Sequence, residues 1–343
     1  MTLFESEILE QPAALARQLD RGRDDAEAVA REIRRFAPRW VMMAARGTSD
    51  NAARYAQYLL GVHNRLAVGL AAPSLFTLYD APPRVDGALV VGISQSGQSP
   101  DIVAVVEEAR SQGALTLAIT NDPSSPLARA ALLGLPVHAG EEHAVAATKT
   151  YTTELMALAM LSAALEGDAA RWGELAEVPE HVGAALAQRE SASLAAARCR
   201  EAQRFVVLGR GFNYATAFEV ALKIKETSYV LAEPYSTADF RHGPAAMLEL
   251  GFPVLVVALR GKVGDAGALL DLLEARRADV LAISNDPVLL GRAGCALPIP
   301  DVPEWLSPLV AVVPGQWFAL ALALSRGADP DRPRGLSKVT HTR

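Results

Sequence analysis

Three hydroxyls and a glycine lie within six residues, Ser94-Gln95-Ser96-Gly97-Gln98-Ser99, just after the apolar run Ala88 to Ile93. A helical pattern starts at about Ile102. At a strand-to-helix turn this composition suits a phosphate. Glycine lets the backbone approach closely, the hydroxyls and helix N-terminal N–H groups donate to the anion, and the helix dipole favours negative charge. Serine is also a common helix cap, but Ser94, Ser96 and Ser99 together with Gly97 exceed what one cap needs. In Arg46-Gly47-Thr48-Ser49, Thr48 and Ser49 can contact a sugar or phosphate, or cap the helix that begins there. Thr148 and Lys149, ahead of a long helix, can act on a ligand, or serve as a cap and a solvated lysine.

Proton chemistry asks for other groups. Glu219, Lys223 and Glu226 share one helix face, a pattern that also describes an ordinary ion-paired surface. Glu226 is singled out by the downstream segment Asp239-Phe240-Arg241-His242-Gly243-Pro244, which holds an imidazole at a stiff turn. A carboxylate and an imidazole from nearby segments are what proton movement on a sugar requires. The other histidines, His63, His138, His143, His181 and His341, read as structural. The basic tail Asp331 to Thr340 carries Lys338. That lysine matters chemically only if the tail folds over a site, where it can stabilise an oxyanion or form a Schiff base.

These residues need a scaffold. Residues 5 to 35 read as helix. Apolar runs then alternate with helical patterns: Trp40 to Ala45, Leu66 to Ala71, Ala88 to Ile93, Leu115 to Thr120 and Leu133 to Val137. The second half repeats this with Phe205 to Leu208, Pro253 to Leu259, Val280 to Ser284 and Cys295 to Ile299. Such alternation predicts parallel sheets covered on both faces. Leu117 to Pro123 recurs as Leu281 to Pro287, and Arg46-Gly47 as Arg210-Gly211, both 164 positions apart. Two matches at one offset, each after a strand-like run, indicate a duplication. The expected segments are an N-terminal helical stretch 1–35, a first α/β domain 36–165, a helical linker 166–200, a second α/β domain 201–328 and a tail 329–343 that closes the active site. Ligands in open parallel sheets bind beyond the carboxyl ends of the strands. The second half offers Ala258-Leu259-Arg260-Gly261-Lys262 there, without hydroxyls, so one phosphate site per chain is expected.

Composition narrows the class. A net charge of -6 over 343 residues argues against nucleic-acid binding. Cys199 and Cys295 form no metal-binding or disulfide pattern. The acidic start has no signal-peptide core, and the apolar stretch near Trp317 to Leu324 reads as too short to span a bilayer. A cytoplasmic protein without a membrane partner is expected.

Taken together, the Ser-Gln-Ser-Gly turn, Lys223-x-Lys225-Glu226, Arg241-His242-Gly243-Pro244 and Pro333-Arg334-x-Leu336-x-Lys338 resemble the SIS (sugar isomerase) family. Within it, they are most similar to the isomerase half of glutamine–fructose-6-phosphate aminotransferases, and the likeness covers nearly the whole chain. The resemblance implies two tandem flavodoxin-like αβα sandwiches, each with a parallel sheet, and a homodimer with sites near the subunit interface. It implies that Ser94, Gln95, Ser96 and Ser99 hold the phosphate of a hexose or amino-hexose, with Thr48, Ser49, Val145 and Ala147 nearby. It assigns Glu226 as the base between C1 and C2, and His242 to ring opening, reaching the neighbouring subunit's site. Lys338 is assigned to a Schiff base with the open-chain ketose. No metal or other cofactor is implied. Ser96-Gly97-Gln98-Ser99 departs from the family's Ser-Gly-Glu-Thr, and Ala147 stands where a sugar-binding serine is usual. No glutaminase segment or cysteine follows Met1, which directs the expectation to stand-alone relatives. That expectation is a glucosamine-6-phosphate deaminase, the alternatives being a fructosamine-6-phosphate deglycase or a non-catalytic sugar-phosphate sensor.

Overall fold

Apolar runs of four to six residues form most of the strands of two five-stranded, all-parallel sheets. The first sheet contains β1 (Trp40–Ala44), β2 (Val68–Leu70), β3 (Ala88–Ile93), β4 (Leu115–Thr120) and β5 (Leu133–Pro136), in the order β2-β1-β3-β4-β5. Every residue of β3 is buried, as a central strand covered on both faces requires. The second sheet contains β6 (Arg204–Gly209), β7 (Leu231–Ser236), β8 (Pro253–Val257), β9 (Asp279–Ser284) and β10 (Cys295–Pro298). Its order, β10-β9-β8-β6-β7, is the same topology read from the other edge. Both follow the flavodoxin-like order, in which the chain reverses direction across the sheet beside the first strand.

The computed structural model describes residues 1–261 and 266–338. Lys262, Val339, Thr340 and His341, which entered the sequence reading, lie outside them. The chain divides into two units. One holds the first sheet and comprises residues 10–142, 149–179 and the tail from Ser337; the other holds the second sheet and comprises residues 1–9, 143–148 and 180–336. The N-terminal helical stretch is therefore two helices with different allegiances. Leu3–Leu9 belongs with the second sheet and Gln11–Phe36 with the first. We propose that the interval 166–200 acts as the connecting segment; it is built of the helices Ala169–Ala185 and Arg189–Arg198, joined by a 3-10 turn.

Two elements differ from the sequence reading. The strand β7, Leu-Ala-Glu-Pro-Tyr-Ser, is absent from it because Glu233 and Pro234 break the apolar run. β7 is an edge strand, where proline costs no central ladder bond. The apolar stretch near the C-terminus is also longer than read. Residues Glu304–Ser325 are continuous helix, with Pro308 in the first turn of Ser307–Ser325 and Pro314 inside it, and their length and hydropathy would suffice to cross a membrane. In this fold the helix is core, with 94% of its most apolar window buried.

That helix packs closely on the helix Asn213–Ser228. A Cβ placed on Gly315 would lie 2.3 Å from Cγ2 of Val220, a stiff β-branched side chain. Gly315→Val should therefore destabilise the protein by about 1–3 kcal/mol through overpacking, seen as a lower urea midpoint at an unchanged m-value.

Candidate active site

The turn after β3 is built to leave donors open. Gly97 has φ +61°, and a Cβ there would fall 2.2 Å from Ser125 Oγ. Ser125 is itself fixed, because its Oγ accepts from the Ala128 N–H to cap Pro126–Ala130. Leu127 N–H donates to the Gly97 carbonyl at 3.1 Å, and Thr120 Oγ1 and Asn121 N–H both donate to the Gln95 carbonyl. Ser94 Oγ accepts from Gly97 N–H at 3.1 Å, and Ser96 Oγ from Gln98 N–H at 3.3 Å. Ser99 is the N-cap of Pro100–Ser111, yet its side chain makes no capping bond. Among the described residues, the hydroxyls of Ser94, Ser96 and Ser99 donate to nothing, and the N–H groups of Gln95, Ser96 and Ser99 have no partner. Six donors thus line a turn beside the point where the strand order reverses.

The neighbouring turn after β1 is used differently. Arg46 takes the N-cap position of Gly47–Asn64, so Thr48 and Ser49 lie inside the helix rather than capping it. Arg46 Nε donates to the buried Asp101 at 2.8 Å. The Ser49 hydroxyl donates to Glu154 Oε1 at 2.8 Å in the interior, while Thr48 is half-buried. Lys149 is not a solvated lysine. It is 2% exposed and pairs with Glu10 at 2.6 Å.

The same unit holds the tail lysine. Lys338 Nζ donates to Glu142 Oε2 at 2.7 Å, and Glu142 also accepts from the hydroxyl and N–H of Thr150. Glu142 has a fully buried side chain and was missed by the sequence reading. Its only signal is an acidic pair, Glu141-Glu142, shortly before Thr148 and Lys149. One sequence does not reveal that a tail lysine nearly two hundred residues later returns to it. Val145 and Ala147 are half-buried and belong to the second-sheet unit, where the preceding N–H groups of His143 and Ala144 donate to Glu7.

In the second-sheet unit, Glu219, Lys223 and Glu226 do share a helix face, but it is buried. Lys223 Nζ lies 3.3 Å from Glu219 and 2.7 Å from Glu226, with Lys223 1% and Glu219 0% exposed. Glu226 keeps 24% exposure. Burial alone would lower the lysine pKa, but the two carboxylates outweigh it and hold the ammonium above the usual lysine range. Lys223 thereby orients a carboxylate that faces outward. His242 is exposed, directly after the short helix Thr237–Arg241.

Two flavodoxin-order sheets, a turn lined with open donors at the switch point of one and a lysine-backed carboxylate in the unit of the other define a tandem doubly wound α/β protein. The SIS domain model matches residues 38–164 and 199–326. The chain belongs to the SIS domain family. It is 38% identical over 345 residues to the glutamine–fructose-6-phosphate aminotransferase [isomerizing] of Thermococcus kodakarensis, covering 97% of this chain and 56% of that protein. The chain thus spans about half the length of the curated relatives it matches. Among solved structures it is similar to a protein from Silicibacter pomeroyi provisionally described as a phosphosugar isomerase (TM-score 0.85, 37% identity, 96% of this chain and 100% of that one). It is also similar to the C-terminal domain of glucosamine-fructose-6-phosphate aminotransferase from Francisella tularensis (TM-score 0.88, 26% identity, 97% and 98%).

Replacing Lys223 with Met should leave Glu219 buried without its partner and cost about 3–5 kcal/mol. Equilibrium urea unfolding measures this. A loss below about 1 kcal/mol would contradict the pairing described.

Proposed function

We propose that this chain isomerises an amino-sugar phosphate, converting glucosamine 6-phosphate to fructose 6-phosphate and ammonia. The observation that carries this reading is Glu226, a partly exposed carboxylate whose other side is fixed by a buried ammonium. The relatives carry the word isomerizing in their names, and the proposed reaction is an isomerisation.

The steps follow from the residues. The phosphate is held by the open O–H and N–H donors of the Ser94–Ser99 turn, with Thr48, Val145 and Ala147 along the sugar. Ser49, whose hydroxyl donates to Glu154, acts by fixing the turn after β1. His242 donates a proton to the ring oxygen as the C1 hydroxyl loses its own, giving the open-chain aldehyde. Glu226 then takes the C2 proton while the C1 oxygen gains one, forming an enolamine. The Lys338 ammonium stabilises the oxygen on which charge develops. Glu226 returns its proton to C1, leaving an imine at C2 that adds water and releases ammonia. A Schiff base at Lys338 would first require its proton to pass to Glu142, which already accepts a hydrogen bond from it. The working form is a homodimer in which exposed His242 serves the partner's site. A second reading, hydrolysis of an amino-acid conjugate of fructose 6-phosphate, is favoured by Ala147, which leaves room where the resemblance expects a serine.

A coupled assay for ammonia and fructose 6-phosphate tests the proposal. Glu226→Gln should lower kcat by about 10²–10⁴-fold, while a thermal shift with fructose 6-phosphate persists. Absence of turnover in the unmodified protein, or full turnover in the variant, would overturn it. Release of a free amino acid from the conjugate instead would select the second reading.

A further inference from the structure

The second sheet has its own crevice at the corresponding place. Beyond the carboxyl ends of β6 and β8, where the strand order reverses, lies a cavity of about 190 Å³. Arg210, Arg241 and His242 contribute to its polar wall, and the end of β8 supplies apolar surface. Arg210 follows β6 and Arg241 ends the helix Thr237–Arg241, so the two guanidinium groups come from different elements. Among the described residues, neither guanidinium has an ion-pair or hydrogen-bond partner. Glu304 also lines the cavity. Burial raises its pKa, which favours the neutral acid over a second negative charge in the crevice.

Comparison with the first half sharpens the point. Arg46 occupies the position of Arg210 in the duplicate, and there the guanidinium is engaged by buried Asp101 at 2.8 Å. The second copy keeps the arginine and leaves it open, in a crevice that lacks the serine turn. The geometry points to a second ligand site: the crevice of the second sheet binds a small phosphate monoester through Arg210 and Arg241, independently of the Ser94–Ser99 turn. Two guanidiniums match the double charge and the paired oxygens of a phosphate, whereas a carboxylate carries a single charge. The apolar wall and the volume suit a compact body attached to it.

Calorimetric titration of the full chain with inorganic phosphate, fructose 6-phosphate and acetate tests this. A phosphate-binding site should appear that Arg210→Ala and Arg241→Ala each weaken at least tenfold and that Ser96→Ala leaves intact. Arg210→Lys should recover part of the loss. Arg210 is exposed, and circular dichroism checks that each variant remains folded. If no site responds to the arginine substitutions, or if acetate binds it as tightly as phosphate, the inference fails. Failure of the serine turn to bind fructose 6-phosphate would instead strike the proposed function, and would leave the arginine-dependent site measurable by itself.

Discussion

The first-sheet site depends on a close approach that admits no side chain. Gly97 turns with φ +61°, and the space a Cβ would need is filled by Ser125. A left-handed turn is open to glycine at little cost, and any other residue would add both strain and a clash. Because Ser125 is held as a helix cap and the Gly97 and Gln95 carbonyls are claimed by Leu127, Thr120 and Asn121, the turn is anchored through its acceptors. Its donors are what remain. Donors held in this way are organised before any ligand arrives, so little ordering would have to accompany binding.

The second-sheet unit uses a different device for a similar end. A lysine with 1% exposure would be untenable alone, and Glu219 and Glu226 together make it stable. Glu219 is wholly enclosed and Glu226 is not. One carboxylate therefore serves mainly to keep the ammonium in place, which in turn limits the motion of the other.

Much of this was legible in the sequence because it is written in short-range terms. Fully buried central strands such as β3 appear as unbroken apolar runs, and the offset repeat announced two sheets of one topology. The hydroxyls around Gly97 marked a donor-rich turn, and the turn leaves those donors open. What was hidden depends on tertiary placement. Pro234 disguises β7 until its edge position is known, and Pro314 masks a helix that continues through it. Helical spacing put Glu219, Lys223 and Glu226 on one face but gave no sign that the face is interior. Spacing gave no sign that Ser49 lies inside its helix with its hydroxyl donating to Glu154, or that Glu142 meets Lys338. The duplicated Asn121 and Asn285 show the same limit. Both bind backbone N–H groups through their side-chain oxygens, but those N–H groups belong to different neighbours, Ala139 and Arg260.

The path of the chain has a consequence for how such a protein can change. The polypeptide passes from one unit to the other five times. No single cut yields two whole units: a fragment ending before Pro179 lacks the tail that carries Lys338, and one starting after it lacks both Leu3–Leu9 and residues 143–148. The duplicated halves are thus inherited as a pair. Recombination that moves one sheet without the other leaves each product missing pieces, so the two copies are free to diverge in chemistry while remaining bound to a common covalent history.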